Sequence, residues 1–195
     1  MPEKILASHI EKLSENIRAL SICADNDNAA SLFQGLSEDN LQNLLSRSVI
    51  QKMEQGREIV QQGDNATHLY FIIEGSVKTL RSSAEGEEAT IRMLKDGDTF
   101  MDAVIFMGGK SPIGARTVKD SKLLLIPANI VRQQIMHDGQ LAHNLLRIVT
   151  KHYKNAMQQI DSIVTKNPIE RLGYYFLKLQ TWPLKAGRRS FQHVP

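Results

Sequence analysis

The chain has 195 residues, of which 42% are hydrophobic and 23% charged, and a formal charge of +3. That is enough apolar material for a substantial core and too much for a disordered chain. No window approaches eighteen consecutive apolar residues and Glu3, Lys4, Glu11 and Lys12 interrupt the N-terminus, so neither a membrane span nor a signal peptide is expected, and the default compartment is the cytoplasm.

Leu6, Ile10, Leu13, Ile17 and Leu20 recur at spacings of 4, 3, 4 and 3, which predicts an amphipathic helix that breaks at Asp25-Asn26-Asp27-Asn28. Cys23 at its end is the single cysteine, which excludes an intrachain disulfide and an iron–sulfur cluster held by this chain. Ser37, followed by Glu38 and Asp39, is placed to cap a short helix that buries Leu41, Leu44 and Leu45. From Val49 to Ile126 the pattern changes to brief apolar runs separated by Gly56, Gly63, Gly75, Gly86 and Gly97, the rhythm of a compact antiparallel sandwich or roll. Leu69-Tyr70-Phe71-Ile72-Ile73 reads as a buried strand ending in a turn at Glu74-Gly75, continued by residues 76–80. Ala84-Glu85-Gly86-Glu87 forms a hairpin tip, and residues 89–94 and 122–126 are further strands.

Beyond Pro127 helical spacing returns. Ala142, Leu146, Val149, Tyr153, Ala156, Ile160 and Ile163 make an a/d seam, while Leu141, Leu145 and Ile148 form a second apolar edge. Two edges call for two packing partners: one covers the chain's own roll, and the other pairs with the same helix of a second copy in a parallel coiled coil about 32 Å long. Asn167-Pro168-Ile169-Glu170 then caps a new helix whose apolar face is Ile169, Leu172, Phe176 and Leu179. Residues 166–195 hold Lys166, Arg171, Lys178, Lys185, Arg188 and Arg189 against Glu170 alone, whereas the rest of the chain is slightly acidic. A polyanion-facing part therefore belongs at this end, the plainer alternative being a solvated basic tail.

Several segments carry a family resemblance: Leu32-Phe33-Gln34-Gly35-Leu36-Ser37, Gln62-Gly63-Asp64, Leu69-Tyr70-Phe71-Ile72-Ile73-Glu74-Gly75-Ser76-Val77-Lys78 and Gly97-Asp98-Thr99-Phe100. From about Leu32 onward the chain resembles the Crp/Fnr family of bacterial transcription regulators. The resemblance implies an α+β fold, a cyclic-nucleotide-binding-type antiparallel β-roll (a double-stranded β-helix or jelly roll) flanked by helices, with a long C-terminal dimerisation helix. It also implies a homodimer, a winged helix-turn-helix that reads DNA, and RNA polymerase as a partner of the full regulator; no membrane partner is expected. The expected organisation is an N-terminal helix and linker (1–30), a sensor roll (31–138), a dimerisation helix (139–166) and the beginning of a DNA-binding domain (167–195). The residues end at Phe191-Gln192-His193-Val194-Pro195, where the family's winged helix would be starting, so a continuation past Pro195 is expected. The alternative is a stand-alone sensor acting through a protein partner.

The nucleotide-binding members carry a phosphate cassette of Gly-Glu followed later by Arg. Here Met101 and Asp102 replace Gly-Glu, and the arginine position falls between Pro112 and Gly114. Arg116 lies 14 residues beyond Asp102, too far along, and is expected to face elsewhere on a strand. Without that cation a buried phosphate stays unpaired, so the ligand is expected to be other than a cyclic nucleotide. Thr99-Phe100-Met101-Asp102-Ala103-Val104-Ile105-Phe106-Met107 looks instead like the dissimilatory nitrate respiration regulator branch, whose members are associated with nitric oxide sensing through haem. The expected effector pocket is Phe100, Met101, Asp102, Val104, Phe106, Met107, Gly114 and Ala115; its apolar residues suit a porphyrin, or they simply fill the roll. The branch's histidines correspond to Ala30 and Ser31, leaving His9 or His152 as candidate haem ligands, though a solvated surface histidine is the plainer reading of each. No His-x-His pair supports a cupin metal site, and no Gly-x-Ser-x-Gly elbow or P-loop supports catalysis, so no enzyme is expected. Asp102, a lone acid, is expected to hydrogen-bond backbone amides.

Overall fold

The computed structural model describes residues 32–83 and 85–165, with the single positions 169, 173 and 176. The expected helix over residues 6–20 with His9, Cys23, the hairpin-tip Ala84, the side chain of Ile163 and the Asn167-capped helix with its basic tail lie outside the described residues as elements.

Helix α1 (Glu38–Leu45) starts where its cap predicts: the Ser37 hydroxyl accepts the Asn40 amide at 3.3 Å, and Leu41, Leu44 and Leu45 are buried. Six strands follow in one antiparallel sheet: β1 (Val49–Met53), β2 (Glu58–Val60), β3 (His68–Ser82), β4 (Glu88–Lys95), β5 (Thr99–Phe100) and β6 (Gly114–Pro127). The two long strands, β3 and β6, pair with each other from His68↔Pro127 to Leu80↔Gly114; β1 and β2 add to β6, and β4 and β5 add to β3. The result is the expected β-roll with flanking helices. One-turn helix α2 (Val104–Met107) precedes β6, and α3 (Ala128–Gln134) and the long α4 (Gly139–Thr165) follow it.

The unbroken apolar run of β3 reflects burial on both faces. Successive side chains point to opposite sides of a strand, so Phe71 meets Phe33 edge-on at 5.1 Å while Tyr70 stacks on Phe100 at 4.7 Å. Glu74-Gly75 does not end the strand. β3 continues through it with register shifts between Ile72 and Val77, and the extra residues are absorbed as bulges. Gly75 has φ +120°, and a Cβ there would lie 2.2 Å from the Ser121 Oγ and 2.6 Å from the Ser121 Cα on β6. The glycine that reads as a turn is a close approach of two backbones.

Helix α4 is fixed at its start by Asp138, whose Oδ1 accepts the amides of Gln140 and Leu141 at 3.0 Å each. One turn later Asn144, fully buried, donates its Nδ2 to the carbonyls of Leu32 at 3.0 Å and Gln34 at 2.7 Å. Leu141, Leu145 and Ile148 are buried in the core, the edge expected to cover the roll.

Gly75→Ala should lower the unfolding free energy by about 3 kcal/mol, because both backbone strain and the Ser121 clash oppose it. Gly86→Ala, with φ +87° and open space around it, should cost only about 1 kcal/mol. Urea unfolding midpoints of the two variants check the contrast.

Candidate functional site

Strand β5 pairs Phe100 with Tyr70 and Thr99 with Phe71, which delivers the segment 101–107 to the mouth of the roll. Met101 has φ +62°, the one non-glycine residue with positive φ among the described residues. A side chain held in that left-handed conformation is uncommon and marks a constrained turn. Its sulfur is within 3.7 Å of the Ser111 hydroxyl, which also donates to the Ile113 carbonyl at 2.7 Å. Asp102, 3% exposed, accepts the Thr99 hydroxyl at 3.0 Å on Oδ2 and the Ala103 amide at 2.8 Å on Oδ1. It is thus a turn-forming carboxylate that bonds backbone and hydroxyl, as its isolation in the sequence suggests. Helix α2 is tied down by Arg132 of α3, whose guanidinium donates to the Ile105 carbonyl at 2.7 Å.

The structure divides the expected pocket residues. Phe100, Met101, Asp102, Val104, Gly114 and Ala115 are buried, whereas Phe106 and Met107 face solvent at 42% and 64% exposure. The single turn of α2 turns Val104 and Ile105 inward and the next two side chains outward, so Phe106 and Met107 do not line an interior with the others. Phe100, Met101 and Val104 belong to the main hydrophobic core, in contact with neighbours that a porphyrin would have to displace. In this arrangement the described pocket residues are packed as core; His152 lies half-buried on α4 and His9 is outside the described residues.

Nor does the arrangement supply the cassette cation. Pro112 is exposed, and Arg116 forks onto Glu88 of β4 at 2.8 and 3.0 Å on the outer surface. The Glu88 bond holds the Arg116 guanidinium above its usual range and the Glu88 carboxyl below its own. Arg116 faces away from the segment, as its spacing implies.

A polar cluster inside the roll escapes the sequence reading. Thr79 of β3 pairs in register with Arg92 of β4, next to the buried pair Val77 and Leu94. Thr79 is 1% exposed, and its Oγ1 has no hydrogen-bond partner, unlike every other buried side-chain polar atom among the described residues. Burial pushes the Arg92 pKa down, while Asp102 and Asp98 favour its charge. Burial likewise lowers that of Lys151 on α4; Asp98 opposes this, and the charges of Arg92 and Lys95 add to it. The available signal was alternation: with Leu94 inward, Arg92 two residues earlier must share its face.

The seam residues of α4 lie on a flank about a quarter turn from its buried edge. Leu146 and Tyr153 are each 65% exposed and Ile160 53%, Ala156 is exposed, and Ala142 and Val149 are half-buried.

A sequence model of the cyclic nucleotide-binding domain matches residues 50–138. The cyclic AMP receptor protein of Thermus thermophilus is 28% identical over 148 residues, 76% of this chain and 68% of its own length. The crystal structure of the Thermus thermophilus catabolite activator protein superposes with a TM-score of 0.60 at 27% identity, covering 68% of this chain and 62% of that one. The sensor domain of the transcriptional regulator DNR from Pseudomonas aeruginosa is 30% identical with a TM-score of 0.57, covering 70% of this chain and 89% of that domain. This chain belongs to the Crp/Fnr family. The matched Crp/Fnr proteins are regulators and not enzymes. The chain is thus similar to both a cyclic AMP receptor and the DNR sensor, and Met101, Asp102 and Pro112 lie in the segment between β5 and β6 of the roll.

Asp102→Ala strands the Thr99 hydroxyl and the Ala103 amide and should cost about 2–4 kcal/mol in chemical denaturation. Arg116→Ala removes only a solvent-screened surface pair and should leave the unfolding midpoint close to that of the parent.

Proposed function

We propose that the chain is the sensing and dimerising part of a cytoplasmic, homodimeric transcription regulator. Its roll takes an effector other than a cyclic nucleotide, and α4 passes the signal to a DNA-binding domain that contacts promoters together with RNA polymerase. The observation that carries this reading is the two-sided α4: Leu141, Leu145 and Ile148 are consumed by the core, while Leu146, Tyr153 and Ile160 stand exposed on a second stripe. A regular apolar stripe left in water at heptad spacing is what a parallel partner helix covers. Against a cyclic nucleotide stand the exposed Pro112 where the cassette has its cation and the engagement of Arg116 by Glu88. Effector binding then acts as a population shift: the roll packs differently on the buried edge of α4, and the seam carries that difference onward.

Leu146→Asp and Ile160→Asp should each convert a dimer to monomers by multi-angle light scattering without loss of helical circular dichroism; an unchanged mass would place the association surface elsewhere. Calorimetric titration with cyclic AMP should give no saturable heat. Haemin added to the protein should give no sharp Soret band that shifts with nitric oxide, whereas such a band would restore the haem expectation.

A further inference from the structure

The chain enters the described residues beside the start of α4. Asn144 donates to the carbonyls of Leu32 and Gln34, and Arg147 donates to the Gln34 side-chain oxygen at 3.2 Å. The sequence before that point carries the stripe Leu6, Ile10, Leu13, Ile17 and Leu20, followed by a connecting stretch over residues 21–31. On α4 itself Leu146, Tyr153 and Ile160 are exposed, with Val149 and Ala156 between them. Each stripe has five members and is about 21 Å long as a helix. Read in opposite directions their spacings coincide: 3, 4, 3 and 4 from Leu146 to Ile160, and the same from Leu20 back to Leu6. The facing pairs are then Leu146 with Leu20, Val149 with Ile17, Tyr153 with Leu13, Ala156 with Ile10 and Ile160 with Leu6. A parallel pair of α4 helices sets like against like, so Tyr153 crowds Tyr153 in one layer and Ala156 leaves a gap against Ala156 in the next. Leu13 and Ile10 even out those two layers.

We propose that residues 6–20 fold back as a helix antiparallel to α4 of the same chain and cover its stripe from Leu146 to Ile160. This rests on the reading of the stripe as the dimer surface and adds an internal competitor for it. The tether favours the antiparallel direction, which sets Leu20 beside Leu146 and near the entry at Leu32. The parallel register of the same two stripes carries Leu20 about 26 Å farther along α4, a span that costs the connecting residues much more of their freedom. Charge agrees: residues 1–31 hold five acidic and three basic side chains, while α4 holds Arg147, Lys151 and Lys154 against Asp161. A segment tethered this closely acts at an effective concentration on the order of millimolar. Two copies therefore meet through α4 only when the segment has been displaced, and an effector that shifts this balance sets the amount of dimer.

Disulfide trapping in the full chain tests the docking. In a Cys23→Ser background, which removes the single native cysteine, Leu6→Cys is combined either with Ile160→Cys, its antiparallel neighbour, or with Val149→Cys, its neighbour in the parallel register. After mild oxidation, non-reducing electrophoresis and peptide mass spectrometry should show an intrachain link in most molecules of the first pair and none in the second. A link in the second pair overturns the antiparallel placement, a link between two chains overturns the intrachain occupant, and no link in either overturns the docking. The competition is read separately by sedimentation equilibrium. Leu13→Asp in the full chain should strengthen self-association by about tenfold or more, because the segment no longer covers the stripe; an unchanged dissociation constant overturns the competition. If the parent and Leu13→Asp both stay monomeric at every concentration, the dimer reading falls, and the Leu6–Ile160 link alone decides the docking.

Discussion

The pairing of β3 with β6 is the constraint on which the remainder of the chain depends. Each of the other strands is hydrogen-bonded to one of these two, so the positions of β1 and β2 follow from β6 and those of β4 and β5 from β3. The pair is not straight: the shifts between Ile72 and Val77 bend it where Gly75 lies against Ser121, while strand alternation sets Tyr70 and Phe71 on opposite faces, both covered. Such a pairing joins residues far apart in sequence, which makes the roll a product of long-range contacts and its elements individually weak.

Two devices connect this spine to the helices. Gln134 at the end of α3 donates to the Asn40 carbonyl at 2.7 Å and accepts from Asn43 at 3.1 Å, while Asn144 holds the turn at 32–35. The beginning of α4 is therefore keyed to α1, α3 and the chain entering them by satisfied buried amides, which specify one arrangement and tolerate few others. On the other side of the roll, Arg132 ties α2 to α3, so the segment carrying Met101 and Asp102 is linked through two short helices to the base of α4. The segment carrying Met101 and Asp102 thus has a continuous packed route to the helix that bears the exposed Leu146 stripe.

What was legible in the sequence was what local chemistry decides. Ser37 caps α1 because a hydroxyl next to free amides needs no distant partner, and Leu141, Leu145 and Ile148 separate from Leu146 by periodicity alone. Arg116 faces away from the cassette position as its distance along the chain from Asp102 implies, a local count, whereas its Glu88 partner on another strand leaves no local signal. The failures depend on distant residues. Glu74-Gly75 carries the composition of a turn, and only the presence of Ser121 on β6 makes it a bulge. Phe106 and Met107 are as hydrophobic as Val104, yet a one-turn helix has room to bury only its first side chains. Alternation puts Arg92 on the same side as Leu94, but only the pairing with β3 fixes which side of β4 is inside.

Strand β4 also bears on how copies of the protein avoid meeting wrongly. Among the described residues it pairs only with β3, and its outer side shows Ile91 and Met93 at 40% and 54% exposure, the composition of a strand that could template sheet growth. Glu88 and Lys95 stand at its two ends, the register slips between Thr79 and Leu80, and the fork from Arg116 clamps one end against the neighbouring strands. Charge, irregular register and a fixed end are the features that keep an open sheet edge from joining another. With growth through the sheet thus discouraged, the exposed heptad stripe of α4 is the kind of surface that selects both partner and alignment.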